Sequence, residues 1–284
     1  MVKSYTAGSL KEALTLRKDP GLVPYCGGTD LMIENAISGA TETSIGANES
    51  AGYLFLHKVP EMKGITEDDE HIRFGAACTF TEVIKSPLTP GILREACMGV
   101  AAPAIRNFGS IGGNIANGSP KADSALVFMV SDSKLILASA DRERVLPIKD
   151  FYPGGKKLAL EPDELIVGVL TPKNGLDNYY YKKVGARKAL AISRCSFAGI
   201  LDVKDGLIVN CATAFGAVSD VIIRMDSLDK MLIGKTIEEA GTLRETYLSA
   251  YREAIVPIRG RVSAEYRKDV CMNLLRDFLA SNWI

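Results

Sequence analysis

The chain has 284 residues, 47% of them hydrophobic, with 34 Lys plus Arg against 34 Asp plus Glu. That length can bury one large or two modest cores, and the even charge balance removes any general pull toward nucleic acid or an acidic membrane. The opening residues hold no apolar run of signal-peptide length, and nothing approaches the roughly 20 apolar residues of a bilayer span, so a cytoplasmic setting is expected. The six cysteines (Cys26, Cys78, Cys97, Cys195, Cys211, Cys271) form no CxxC pair. A zinc or iron–sulfur site therefore has little support, and reduced, mostly buried thiols are expected. Two histidines, His57 and His71, are too few for a histidine triad or a multi-histidine metal site. No catalytic residue and no metal ligand is assigned to this chain.

In chain order, Ser9 and Glu12 have capping-box spacing and predict a helix over residues 10–17, stopped before Asp19-Pro20-Gly21. Residues 22–26 are short and apolar, and Gly27-Gly28-Thr29-Asp30 then leads into Leu31-Met32-Ile33 as strand, glycine turn and helix start. Strands are predicted over 53–56 and 72–76, a helix N-terminus at Thr79 to Glu82, and an amphipathic helix over 92–101. Residues 134–138 alternate as a strand, with a polar turn at Arg142-Glu143-Arg144. Turn formers between Thr171 and Asp177 mark a boundary, giving expected domains 1–175 and 176–284. Beyond it come a strand over 179–184, a hairpin of 196–203 with 207–215 around Lys204-Asp205-Gly206, and helices from about Thr236, one of them over 264–280. This order argues for an α+β chain of two lobes.

Two glycine turns stand out, Gly27-Gly28-Thr29-Asp30 and Ser110-Ile111-Gly112-Gly113-Asn114. Glycine lets backbone approach a ligand closely. Where such a turn opens a helix, free N–H groups favour an anion, and two together could hold a pyrophosphate from both sides. Each alone is weak evidence, since a Gly-Gly pair is usually just a tight turn. Neither fits GxGxxG, and no Gly-Lys-Ser/Thr follows, so the common nucleotide folds are disfavoured.

Taken together, the segments Pro24 to Leu31 and Ile105 to Ser124 resemble the two flavin loops of the FAD-binding medium subunits of molybdenum hydroxylases, the xanthine dehydrogenase and carbon monoxide dehydrogenase family. The segment Phe151 to Lys157, the run Pro162 to Ile166, and Tyr181 to Ile192 continue the resemblance in order over essentially the whole chain. It implies a two-lobed FAD-binding domain of the PCMH (vanillyl-alcohol-oxidase-like) type, followed by a C-terminal α+β domain with an antiparallel sheet and helices.

The resemblance also implies roles. Cys26, Gly27, Gly28, Thr29, Asp30 and Leu31 would wrap the FAD pyrophosphate and ribose. Ser110, Gly113 and Asn114 would bind the diphosphate from the second loop. Asp123 would lie toward the ribityl or adenosine side, Ile166 against the isoalloxazine ring, and Lys182 near its polar edge. Arg106 would hold the second loop by pairing, and Arg187 would steady the second lobe. Asp30 and Asp123 read equally well as helix caps, and Lys182 as a solvent-facing strand lysine. The implied partners are a large molybdopterin subunit, a small [2Fe–2S] subunit, and NAD(P) or another acceptor. A flavoenzyme working alone would need an acid or base of its own, and the last third offers no evident constellation. A non-catalytic nucleotide-binding module is the other alternative; it would purify colourless.

Overall fold

The structure, a computed structural model, describes residues 4–33, 52–154 and 157–284. Strands β1 (Ser4–Thr6), β2 (Leu22–Tyr25) and β3 (Gly52–Phe55) form a small parallel sheet in the order β1-β3-β2, with helix α1 (Leu10–Arg17) between the first two strands. At the start of α1, Ser9 Oγ accepts from Glu12 N at 3.2 Å. The Glu12 carboxylate reaches back to the amide of Gly8, not Ser9, at 2.7 Å, so the expected box closes one residue early.

The first lobe continues with a five-stranded antiparallel sheet in the order β4-β5-β8-β6-β7, built from β4 (Ile65–Glu67), β5 (His71–Gly75), β6 (Lys134–Ala138), β7 (Glu143–Pro147) and β8 (Leu165–Pro172). Between β5 and β6 lie α2 (Phe80–Lys85), α3 (Gly91–Met98), α4 (Pro103–Arg106), α5 (Ile111–Ala116) and α6 (Asp123–Val130). A complete Thr79–Glu82 capping box opens α2. The amphipathic helix expected over 92–101 stops at Met98, because Gly99 caps it and residues 100–101 turn away. All eight residues of α6 are buried, as befits a helix that is apolar all round.

The polar turn expected at residues 142–144 is shorter than its sequence suggests, since Glu143 and Arg144 already belong to β7. The reason is a buried carboxylate. The Glu164 side chain is fully buried, and Arg144 Nε and Nη2 donate to its two oxygens at 2.7 Å each. The Arg144 hydrogen bonds hold the Glu164 carboxyl below its usual range, against the opposing effect of burial. A depressed folded-state pKa gives stability that is present above the unfolded value and lost as pH falls through the folded one. Thermal scans should therefore show the midpoint dropping as pH falls below the ordinary value of 4.5, and less steeply in Glu164→Gln. Equal slopes in the two proteins would remove Glu164 as the cause.

In the second lobe, β9 (Tyr179–Val184), β10 (Cys195–Lys204), β11 (Leu207–Gly216) and β12 (Ile223–Arg224) form an antiparallel sheet in the order β12-β11-β10-β9. The β10–β11 hairpin closes with Lys204 opposite Leu207 around Asp205 and Gly206, both at positive φ, the geometry expected of an Asp-Gly turn. Helices α7 (Asp226–Asp229), α8 (Ile237–Ala254) and α9 (Ala264–Ser281) follow.

This second sheet serves two cores. Ala198 and Ile200 of β10, with Ala212 and Ala214 of β11, join the core of the first lobe. Cys195, Phe197, Leu201, Cys211 and Phe215 point the other way, into a core shared with α8 and α9. Alternation along a strand sends successive side chains to opposite faces. With both faces covered, β10 and β11 read as nearly unbroken apolar runs. Small residues face α6, and aromatic ones face the C-terminal helices.

Beneath those helices sits a buried polar knot. Asp229 Oδ1 accepts from Thr213 Oγ1 at 2.9 Å, Tyr247 OH at 2.8 Å and Tyr251 OH at 2.7 Å. Asp229 Oδ2 accepts from Thr213 N at 3.0 Å and pairs with Arg224. Five cysteines are buried free thiols and Cys26 is half-buried. Among the described residues no helix is long and apolar enough to cross a membrane, and no group of three or more His, Cys, Asp or Glu could hold a metal ion.

Candidate flavin site

The two glycine turns meet. Gly27 lies so close to the second segment that a Cβ there would overlap the Phe108 carbonyl and lie 3.1 Å from Gly109 Cα. Gly28 has φ +65° and sits over the Tyr25 ring, which a Cβ would strike. Residues 31–33 are helical, with Met32 N donating to Gly28 O at 3.0 Å. Burial is the largest cause raising the Cys26 thiol, and Ser110 opposes it. Thus the first loop meets the second by close backbone approach.

The two loops contribute unequally. Among the described residues, none accepts from the backbone N–H groups of Gly27, Gly28, Thr29 or Asp30. Within the described residues these donors match the free amides expected of an anion-binding turn. In the second loop the expectation of free amides fails. Ile111 N donates to Cys78 O at 2.9 Å, Gly112 N to Ala76 O at 2.8 Å, and Gly113 N to Ser110 Oγ at 3.2 Å. The start of α5 is bolted onto residues 76–78, so its first three amides are spent inside the protein. What this loop still offers is side-chain chemistry. Ser124 Oγ donates to Asn114 Oδ1 at 2.7 Å, which fixes the amide with Nδ2 carrying the donors. No described residue accepts from that nitrogen.

Ile166, buried in the first-lobe core, precedes Val167, whose carbonyl accepts from Ala76 N at 2.9 Å. It is thereby one strand position from the segment that holds α5. Asp123, the first residue of α6, is buried. Its Oδ2 accepts from Lys183 Nζ at 2.6 Å and its Oδ1 from Ser193 Oγ at 2.9 Å. Burial raises the Asp123 carboxyl, while Lys183 and Ser193 pull it down. Lys183 Nζ also donates to Gly99 O at 2.9 Å. This cluster ties the first lobe to β9 and to the loop before β10.

Lys182 is not part of that cluster. It is exposed and lies on the face of β9 opposite Tyr181 and Lys183. Sequence reasoning singled out Lys182 and passed over Lys183 and Ser193. Strand alternation separates Lys182 from Lys183, but nothing in the sequence says which of the two faces the first lobe. Arg106 donates to Val100 O at 2.7 Å and Ala101 O at 2.8 Å, so it holds the backbone just before the second loop through carbonyls. Arg187 donates to Ala189 O and Leu190 O, closing its own loop. Of the segment 151–157, residues 155 and 156 lie outside the described residues, and Tyr152 OH donates to Ile115 O at 3.1 Å.

Residues 1–174 match a family profile described as the FAD binding domain in molybdopterin dehydrogenase. The chain belongs to the FAD-binding subunit family of molybdopterin dehydrogenases. Residues 179–281 match a second profile, the CO dehydrogenase flavoprotein C-terminal domain. Among relatives of this subunit family, the xanthine dehydrogenase FAD-binding subunit of Escherichia coli O157:H7 is 32% identical over 228 residues, covering 78% of this chain and 75% of its own. The nicotinate dehydrogenase FAD-subunit of Eubacterium barkeri is 27% identical over 93% of this chain and 89% of its own. The fold agrees as well. Quinoline 2-oxidoreductase of Pseudomonas putida 86 superposes with a TM-score of 0.86 at 22% identity, over 100% of this chain and 97% of that one. The two-lobed α+β architecture of the FAD subunits is therefore the architecture of this chain.

A glycine cradle whose amide donors on one side and carboxamide nitrogen on the other have no acceptor among the described residues fits an anionic diphosphate. The donor set suits the FAD that the family binds. Asn114→Ala should weaken FAD binding about fivefold, since a net hydrogen bond is worth ~1 kcal/mol, and should leave the fold intact. Flavin fluorescence titration of the apoprotein checks this.

Proposed function

We propose that this chain is the electron-relay subunit of a cytoplasmic, multi-subunit molybdenum hydroxylase acting on an N-heterocycle such as a purine or nicotinate. In this reading a large subunit carries molybdopterin and hydroxylates the substrate, and a small subunit carries [2Fe–2S] clusters. Bound FAD supplies a two-electron store between those clusters and NAD(P) or another acceptor. The residues of this chain bind and orient. The amides of Gly27 to Asp30, the Ser110 hydroxyl and Asn114 Nδ2 hold the diphosphate between them. Cys26, Leu31 and Gly113 shape the cradle, and Ile166 excludes water from the ring. Asp123 sets the position of the lobe junction, and Lys182 supplies a cation at the ring's edge. We further propose that the chain divides near residue 175 into a FAD-binding domain (1–175) and a molybdenum-hydroxylase flavoprotein C-terminal domain (176–284).

The observation that carries this reading is the convergence of the two glycine loops, with the amides of one unpaired among the described residues. The test is spectroscopic and compositional. The purified chain should show flavin absorbance bands, or acquire them stoichiometrically when FAD is added. The native assembly should contain molybdenum, iron and flavin. A chain that stays colourless in excess FAD would overturn the assignment, and copurification with no molybdenum subunit would favour a flavoenzyme working alone.

A further inference from the structure

The C-terminal core holds a feature that flavin binding does not use. Cys195, the first residue of β10, and Cys271, in the middle of α9, place their sulfurs 3.3 Å apart. Both are fully buried, and this is the one thiol–thiol contact among the described residues. The two positions are 76 residues apart in sequence, so only the packing of α9 on the sheet brings them together. Arg267 lies one turn before Cys271 on α9 and is itself buried. Its Nη1 donates to Ala217 O at 2.6 Å, its Nε has no acceptor, and none of the described ion pairs includes it. A buried guanidinium without a carboxylate favours negative charge nearby, and the adjacent sulfurs are where that charge can form.

We propose that Cys195 and Cys271 are an oxidisable thiol pair that a peroxide converts to an intrachain disulfide, stapling the sheet of the second lobe to α9. The balance is two thiols plus one hydrogen peroxide giving one disulfide and two waters. One sulfur of the pair attacks a peroxide oxygen as thiolate. The S–O bond forms, the O–O bond breaks, and the departing hydroxide takes a proton to leave as water. The second sulfur, 3.3 Å away, then attacks the first. The S–S bond forms, the S–O bond breaks, and the second water carries away the second thiol's proton. Hydrogen peroxide, about the size of water, reaches the pair through local opening between α9 and β10, so the reaction is slow and selective for small oxidants.

The staple joins β10 to α9 close to the lobe junction, since Ser193, the partner of Asp123, lies two residues before Cys195. The test uses the wild-type protein in its native assembly. It is treated with hydrogen peroxide at doses that oxidise half-buried Cys26, alkylated under denaturing conditions, and digested without reductant. The expected result is a Cys195–Cys271 cross-linked peptide, two hydrogens lighter than its parts and released by dithiothreitol. The thermal midpoint should rise by several degrees in the oxidised protein, because a cross-link restricts the unfolded chain. In one or both of Cys195→Ser and Cys271→Ser, the remaining cysteine should be trapped by dimedone as a sulfenic acid. Recovery of both cysteines as fully alkylated thiols, or their pairing with other cysteines, overturns the proposal on the wild-type protein alone.

Discussion

A Gly27→Val protein should fold yet purify without FAD, its affinity lowered at least ~100-fold, or about 3 kcal/mol. The cause is steric and local. The Gly27 α-carbon faces the Phe108 carbonyl with no room for a methyl group, so any side chain pushes the first loop off the second. The amides of residues 27–30 then no longer share a ligand with Asn114. Gly113→Ala is the control within the same motif. Gly113 is exposed, and an added Cβ meets only the Ser110 hydroxyl, at 2.9 Å. That contact can yield, so the loss should stay below about tenfold. Flavin-to-protein ratio and FAD titration report both, with circular dichroism to verify the fold. Wild-type flavin content in Gly27→Val would mean that the two loops do not act on one ligand.

Asp229→Ala should be the most destabilising single change in the second lobe. It removes the acceptor of three hydroxyls and one backbone amide, and it takes from Arg224 its most buried partner. Breaking a buried, hydrogen-bonded charge pair from one side costs about 3–5 kcal/mol. For a protein of this size each kcal/mol moves the midpoint by roughly 2–4 °C, so a drop on the order of 10 °C is expected. Differential scanning calorimetry measures it. The double variant Tyr247→Phe with Tyr251→Phe, which removes donors and leaves the Arg224 pair, should cost clearly less. A midpoint within 2–3 °C of wild type for Asp229→Ala would show that the knot is not under the burial described, at roughly 1 kcal/mol.

Much of this fold could be read where chemistry acts over a few residues. The Asp205-Gly206 turn, the Thr79–Glu82 box and the α1 start each depend on neighbours in sequence, and each forms within a residue of its expected place. The glycine pairs were visible for the same reason. That they touch could not be read from the turns themselves, because 81 positions separate Gly27 from Phe108 and no local rule governs what two distant turns do. Three features were hidden because tertiary contacts decide them. The amides of α5 are consumed by Ala76 and Cys78, residues that no helix-start rule consults. Arg144 is drawn into β7 by a carboxylate 20 residues away. Lys183 rather than Lys182 meets Asp123, because the side of β9 that faces α6 is fixed by the placement of the whole sheet. Lys182, which the resemblance puts near the flavin's polar edge, lies on the opposite face of β9 from Lys183.

The alanines of β10 and β11 have a practical consequence for anyone cutting or grafting this molecule. They form the floor on which α6 rests, although they come from the C-terminal part of the chain. A fragment ending near residue 175 would leave the apolar underside of that helix in water, and should aggregate or require a solubilising partner. Exchanging C-terminal regions between related subunits should succeed only where those small residues travel unchanged, since a leucine in place of Ala212 or Ala214 would lift the helix whose first residue anchors the junction.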